Sequence, residues 1–426
     1  MRRTLLAAAL MFALAGTAHA DDAALKSEVA QLRAELAQLR AEVQSMRGAA
    51  PAAPVTSSTA PTQRTASAAP APAAAHEDNA TTLTGYGEIA YNHPFHDSAA
   101  SQIDLRRAVI GFSHRFDDST RVVGEFEWEH AVTSSEDAGE SEVEQLYIDH
   151  EMNPHLGVRA GLMLMPAGLL NERHEPPTYY GVERNFVDTQ IIPSTWREGG
   201  VSIYGSTDAG LGWSAGVVTN VDLSKWDASS DEGRESPLGS IHQELQLAKA
   251  RDPAIFLSGN WQGIPGLLVG GSVYTGKIGQ GQDFAGRDSR LTLGEAHVRW
   301  QPGPFDLQAE YARGHISDTE ALNLTFIGQP TPVPESFWGG YVQGAWKIWQ
   351  RDEAAFAPFL RYELVNTAAS YAPVPQGLGV ASADTQRVVT FGANWWLNSQ
   401  IVFKADVQKF HLGDEDRLDL GMGYMF

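Results

Sequence analysis

Glu125, Glu127 and Glu129 stand at every second position, with Gly124, Phe126 and Trp128 around and between them. In an extended strand that spacing puts three carboxylates on one face and the apolar residues on the other. Arg107 and Arg115 share a face with Val109 and Ser113, against Ala108, Ile110 and Phe112. Lys347 shares one with Tyr341 and Gln343, against Trp338, Val342 and Trp346. Arg159, Arg299 and Arg361 fall in the polar phase of their own segments. Rows of charge facing one space give an electrostatic lining that can pass ions and hydrophilic solutes. Such charges are costly in a membrane unless water reaches them. Nine residues are therefore expected to line a watery interior: Arg107, Arg115, Glu125, Glu127, Glu129, Arg159, Arg299, Lys347 and Arg361.

Other chemistry finds no support. The chain has no G-x-S-x-G, no phosphate-binding glycine loop, no H-E-x-x-H and no cysteine, so neither a catalytic set nor a cofactor is expected. His93 and His96 fall short of the ligand set that zinc normally requires, and no metal site is assigned. A formal net charge of −21 argues against nucleic acid, whose binding needs a basic face.

The elements that must hold these residues are strands. From Thr81 to Phe426 the chain alternates apolar and polar residues in segments of roughly 9 to 14, the signature of a membrane barrel. The 41 glycines suit its many tight turns. About sixteen antiparallel strands are expected, an all-β transmembrane barrel with both ends of the barrel domain on the periplasmic side. Tight turns such as Asp117-Asp118, Asn153-Pro154 and Pro302-Gly303 alternate with longer segments near 92–102, 133–141, 165–198, 223–252, 279–288, 317–335 and 367–384. The last strand puts Leu418, Leu420, Met422, Tyr424 and Phe426 on one face, and its terminal Phe resembles the signal read by the outer-membrane barrel assembly machinery.

The third long segment, Met165 to Glu198, is dense in charge, proline and tyrosine. Loops of this length without regular structure are usually functional or disordered. It is expected to fold into the lumen, with Arg173, His174, Arg184 and Arg197 facing Glu172, Glu175, Glu183 and Asp188 at a constriction. The acidic runs Glu136-Asp137 and Asp231-Glu232 read most simply as solvated, with bridging to lipopolysaccharide through divalent cations as the alternative.

Before the barrel come three shorter segments. Residues 1–20 read as a signal peptide, with Arg2 and Arg3, an apolar stretch from Leu5 to Ala15, and small residues before Asp21. Within 21–47, Leu25, Val29, Leu32, Leu36, Leu39, Val43 and Met46 repeat at alternating spacings of 4 and 3, a heptad seam. Glu28, Glu35 and Glu42 then face Arg33, Arg40 and Arg47 of a neighbouring chain, which favours a parallel coiled coil in the periplasm. Residues 48–80 are rich in Ala and Pro and form an extended linker.

Asp104-Leu105-Arg106-Arg107-Ala108-Val109-Ile110-Gly111-Phe112, the proline-rich third loop and Trp196-Arg197-Glu198-Gly199-Gly200 together resemble the phosphate-selective porin O and P family over most of 81–426. The resemblance implies a sixteen-stranded homotrimer in the outer membrane of a Gram-negative bacterium, in contact with its lipid and lipopolysaccharide. It also implies anion transport through a ladder of basic residues. The inward positions here depart from a purely basic ladder, since Glu295, Glu310 and Asp406 join the three glutamates of the third strand. The function expected is passive diffusion of small hydrophilic solutes or ions through a water-filled channel, including anions such as phosphate. The alternative is a structural anchor whose coiled coil tethers the outer membrane to the cell wall.

Overall fold

The computed structural model describes residues 80–132 and 138–426. The signal peptide, the coiled coil and the linker, apart from Ala80, lie outside the described residues. Where side chains alternate between two environments the chain is extended: β1 (Thr81–Pro94), β2 (Gln102–Arg115), β3 (Thr120–Glu129), β4 (Ser141–Asn153), β5 (Leu156–Leu164), β6 (Arg197–Ser206), β7 (Leu211–Val218), β8 (Ala254–Ile264), β9 (Leu267–Lys277), β10 (Arg290–Trp300), β11 (Phe305–Ile316), β12 (Ser336–Trp346), β13 (Trp349–Arg351), β14 (Ala354–Ser370), β15 (Gln386–Asn398), β16 (Ile401–Phe410) and β17 (Arg417–Met425). Antiparallel pairing runs around the whole set and β1 also pairs with β17, so the sheet closes and no edge is left. The short β13 continues β12 past Lys347 and Ile348, and both pair with β14. The wall therefore has sixteen strand positions, as the alternation predicts.

Apolar side chains cover the outside. Ile110, Phe126, Trp128, Val342, Trp346, Phe391 and Trp395 are all exposed there. Paired rings, Phe305 with Trp346 and Trp395 with Phe403, each 5.8 Å apart, mark the end where the short turns lie. Such a surface would drive aggregation in water, whereas it is what hydrocarbon requires of a barrel wall. Connections on the Phe426 side are short, such as 116–119 and 265–266, and those opposite are long, such as 165–196 and 219–253.

The interior is more apolar than the polar, watery lumen expected. Phe256, Tyr274, Leu291, Leu293 and Phe337 point inward from β8 to β12 and are buried. They pack against Ile191, Ile192 and Trp196, against Leu223, Trp226, Leu238 and Ile241, and against Leu322 and Val333, from three long loops that fold into the barrel mouth. The inward phase is apolar where a loop covers it and polar where water can reach. Burial of apolar surface, not solvation, sets residue choice under the loops.

Candidate functional site in the barrel lumen

Segment 165–196 leaves β5 and crosses the lumen. It turns inward at Gly168, whose φ is +76° and whose missing Cβ makes room for the carboxylates of Asp188 and Glu310. A side chain there would meet both groups in a backbone region that L-residues avoid. Asn171 staples the base: its amide donates to the carbonyls of Met165 (2.7 Å) and Trp196 (2.8 Å), and its Oδ1 accepts from Trp196 N (2.7 Å).

Beyond that base, buried wall residues hold the segment at its main chain and side chains alike. His174 Nε2 lies 2.6 Å from Glu144 on β4 and 2.8 Å from the Tyr86 hydroxyl on β1, while Nδ1 faces the Asn171 carbonyl. The Tyr179 hydroxyl donates to Glu88 (2.9 Å). Asn394 donates to Tyr179 O and accepts from Gly181 N, and Asp406 accepts from Val182 N. On β14, Arg361 donates to the carbonyls of Tyr180 and Glu183, and Glu363 accepts from Phe186 N. Glu310 on β11 accepts from Leu169 N. Anchors on β1, β4, β11, β14, β15 and β16 thus fix a loop inside the barrel.

The charges divide into a locked set and an available set. Between Glu88 and Ile89 the β1–β2 register slips, so Glu88 faces Arg107 while Ile89 faces Leu105. Arg106 occupies the bulge, and both adjacent arginines turn inward. Arg107 pairs with Glu88 (2.8 Å) and Arg106 with Glu183 (2.5 Å). These groups, with Glu129, Arg184, Thr195 and Arg417, line a recess of about 450 Å³ on the long-loop side of the segment. Among the described residues Arg184 donates there only to the hydroxyls of Ser194 (2.9 Å) and Thr195 (3.0 Å), and no carboxylate of that set pairs with it. A second recess, about 510 Å³, opens toward the short turns and is lined by Arg159, Glu172, Arg173, Tyr204, Asn260 and Arg299. Arg173 is exposed there without an ion-pair partner among the described residues, Arg159 shares Asp149 with Arg121, and Arg299 is neutralised by Asp306 (2.6 Å).

The remaining residues read from the sequence are scattered. Glu125 is bonded by the Gln145 amide and Glu127 is buried beside them. Arg361 and His174 are buried anchors of the loop, not lining groups. Arg197 opens β6 and is locked between Glu142 and Glu244, which removes it from the constriction. Arg115 lies exposed at the short-turn end of β2, and Lys347 falls beyond the end of β12. Sequence reasoning missed Arg106, Glu144, Lys404 and Arg417. The ammonium of Lys404 is buried, sits 3.3 Å from the centre of the Tyr179 ring and has no hydrogen-bond acceptor among the described residues. Its position in the inward phase of β16 was the available signal.

Two carboxyls of the loop respond to pH in opposite directions. Burial pushes Glu183 up, but the Arg106 guanidinium and the Asn92 amide outweigh it and hold the group below the usual carboxylate range. Burial pushes Asp188 up to about 6, opposed by the Asn185 amide and reinforced by Glu295, which faces it together with Glu310, Arg184 and His297. A depressed group contributes stability above its unfolded pKa and loses it as pH falls through the folded value, and a raised group does the reverse. Docking of the loop is therefore expected to be firmest at about pH 4, where Glu183 is already ionised in the folded loop and Asp188 still holds its proton, and to weaken as pH rises from there to about 6. Amide exchange of Val187–Ile191, corrected for intrinsic rates, should be slowest at about pH 4 and should quicken by about pH 6. Protection that climbs steadily to pH 8 would show that Asp188 is not held protonated.

No known protein-family profile matches the chain. An uncharacterized protein of Aquifex aeolicus (strain VF5) is 29% identical over 350 residues, 80% of this chain and 78% of that one. OmpF of Salmonella typhi, solved in complex with daunomycin, superposes with a TM-score of 0.57 at 14% identity, over 81% of this chain and 97% of that one. A loop-deletion mutant of OmpT, an outer-membrane protein of Vibrio cholerae, gives 0.52 at 12% identity, over 82% and 100%. The chain has the fold of outer-membrane porins. That likeness concerns the barrel wall, and what passes through it must be argued from the lumen.

Proposed function

We propose that the protein is an outer-membrane porin that lets small hydrophilic solutes diffuse passively and favours anions, phosphate among them. The observation that carries this reading is the segment 165–196 across the lumen, with a cation that lacks a carboxylate partner among the described residues in the recess on each of its sides, Arg184 and Arg173. The resemblance to the phosphate-selective porins O and P agrees with it. In this reading the long loops face the outside, the short turns and the coiled coil face the periplasm, and Phe426 is read by the assembly machinery. Purified protein in a planar bilayer should give discrete conductance steps and, in a potassium chloride gradient, a reversal potential of the anion-favouring sign. A barrel that folds and inserts but conducts nothing would defeat the proposal, and a cation-favouring sign would defeat its anionic part.

A homotrimer belongs to the same proposal. Ile103, Ile110, Phe126, Leu146 and Ile148 leave a broad apolar face on β2 to β4 for neighbouring barrels, and the seam at 25–47 would hold three chains in register. About three heptads are marginal alone, since isolated short helices form poorly. Deleting Leu25 to Arg47 is expected to leave a folded, heat-modifiable barrel whose trimer dissociates at lower temperature or detergent load. Mass measurement in detergent would reveal this, and a deletion that abolished the barrel itself would show that the two parts are not independent.

A further inference from the structure

The outer wall carries a feature the channel does not need. Across β9 to β12 the outward positions at mid-height are small: Gly271, Gly294, Ala296, Ala309 and Gly340. The methyl-sized side chains of Ala296 and Ala309 and the lack of one at Gly340 open an apolar groove of about 600 Å³ on the lipid-facing surface, bounded by Val269, Val342, Leu364 and the rings of Tyr311, Trp338 and Tyr362. The lining runs four residues along β12, from Trp338 to Val342, about 14 Å along a tilted strand and so less than one leaflet of a hydrocarbon core ~30 Å thick.

Directly above it, toward the long loops, the same outward rows turn basic. Arg313 lies opposite Gly294, His315 opposite Thr292 and Lys277 opposite Arg290. All four basic side chains are exposed. Lys277 is engaged by Asp288 (3.2 Å), but no carboxylate among the described residues pairs with Arg290 or Arg313. Unpaired arginines at the level of lipid headgroups, above a slot open to hydrocarbon, match a ligand with phosphate at one end and acyl chains at the other. Arginine suits that task because its planar fork bonds phosphate oxygens in pairs.

We infer that the groove and the Arg290–Arg313 patch above it form a binding site for a phosphorylated, acylated glycolipid of the outer leaflet, with the acyl chain against Ala296 and Gly340 and the phosphate on the two arginines. This rests on the orientation given above, with the long loops outside. It also gives lipopolysaccharide a direct contact on basic residues, rather than one bridged by cations to acidic loops.

The test titrates the full mature protein in detergent with hexa-acylated lipid A carrying both phosphates, and with its dephosphorylated form, and counts retained lipid by native mass spectrometry. Arg290→Ala with Arg313→Ala is expected to weaken retention of the phosphorylated lipid at least tenfold and to leave the dephosphorylated one nearly unchanged. Ala296→Trp, which fills the groove, should weaken both. An alanine variant at Arg115, exposed at the opposite end of the wall, should weaken neither. Equal retention of the two lipids by the parent, or no loss in the double variant, would overturn the site. So would an Ala296→Trp variant that falls apart into monomers while still retaining lipid, because the groove would then be an interface between copies. Conductance recorded on the same preparations tests the channel reading separately.

Discussion

Arg173→Glu together with Arg184→Glu is expected to move the reversal potential strongly toward cations. The two side chains lie in separate recesses on the loop that crosses the lumen, and neither has a carboxylate partner among the described residues to absorb the change. In water a unit charge about 8 Å from a passing ion is worth roughly 0.5 kcal/mol, so each reversal alters the local energy of a cation and of an anion by about 1 kcal/mol in opposite directions, roughly fivefold for each ion. The low-dielectric wall concentrates the field and raises that figure, while salt lowers it. Lys225→Glu provides the comparison. Lys225 lies on the 219–253 loop, where its ammonium bonds the His242 carbonyl, and its reversal should scarcely change selectivity at moderate salt. Equal shifts from both sets would place the narrowest part of the channel elsewhere. Arg197→Glu is not a third probe of selectivity: its partners Glu142 and Glu244 would be left facing a third carboxylate, so it tests folding.

Arg197 also shows how far the sequence could be read. Alternation tells which side of a strand faces in, because the period of two is fixed by backbone geometry. It therefore gave the wall, the lipid face of β17 and the inward glutamates of β3. Which inward charges remain available depends on partners brought from tens to hundreds of residues away, and no local pattern carries that. Arg361 and Arg173 look alike in sequence, yet one is enclosed beside Glu363 and the other is exposed. Arg106 was hidden for another reason. A bulge reverses the phase within a strand, and Asp104-Leu105-Arg106-Arg107 contains no glycine or proline to announce it. The apolar lining was partly legible, since Leu291 and Leu293 share the phase of Glu295 and His297, but the loops that cover it have no period to follow.

Releasing the loop should have the largest effect, and Arg361 is the residue to change. Its side chain is 2% exposed and that of Glu363 is 1% exposed, with Nε 2.8 Å from the carboxylate. Together they hold the loop at the Tyr180 carbonyl, the Glu183 carbonyl and the Phe186 amide. Arg361→Ala strands a buried carboxylate, a loss of about 3–5 kcal/mol in comparable cases. The cheapest relief is for the loop to lift and admit water to Glu363. Single-channel records should then show larger and noisier conductance, and the heat-modified band should appear at lower temperature on electrophoresis. Replacing both partners with apolar residues of similar size, Arg361→Met with Glu363→Leu, separates the two consequences. The buried charge is gone, so barrel stability should largely return. The two carbonyls and the Phe186 amide still lack partners and prefer water, so the noise should persist. A quiet channel of parental conductance in both variants would mean that the remaining anchors, His174 on Glu144 and Val182 on Asp406, hold the loop without help from β14.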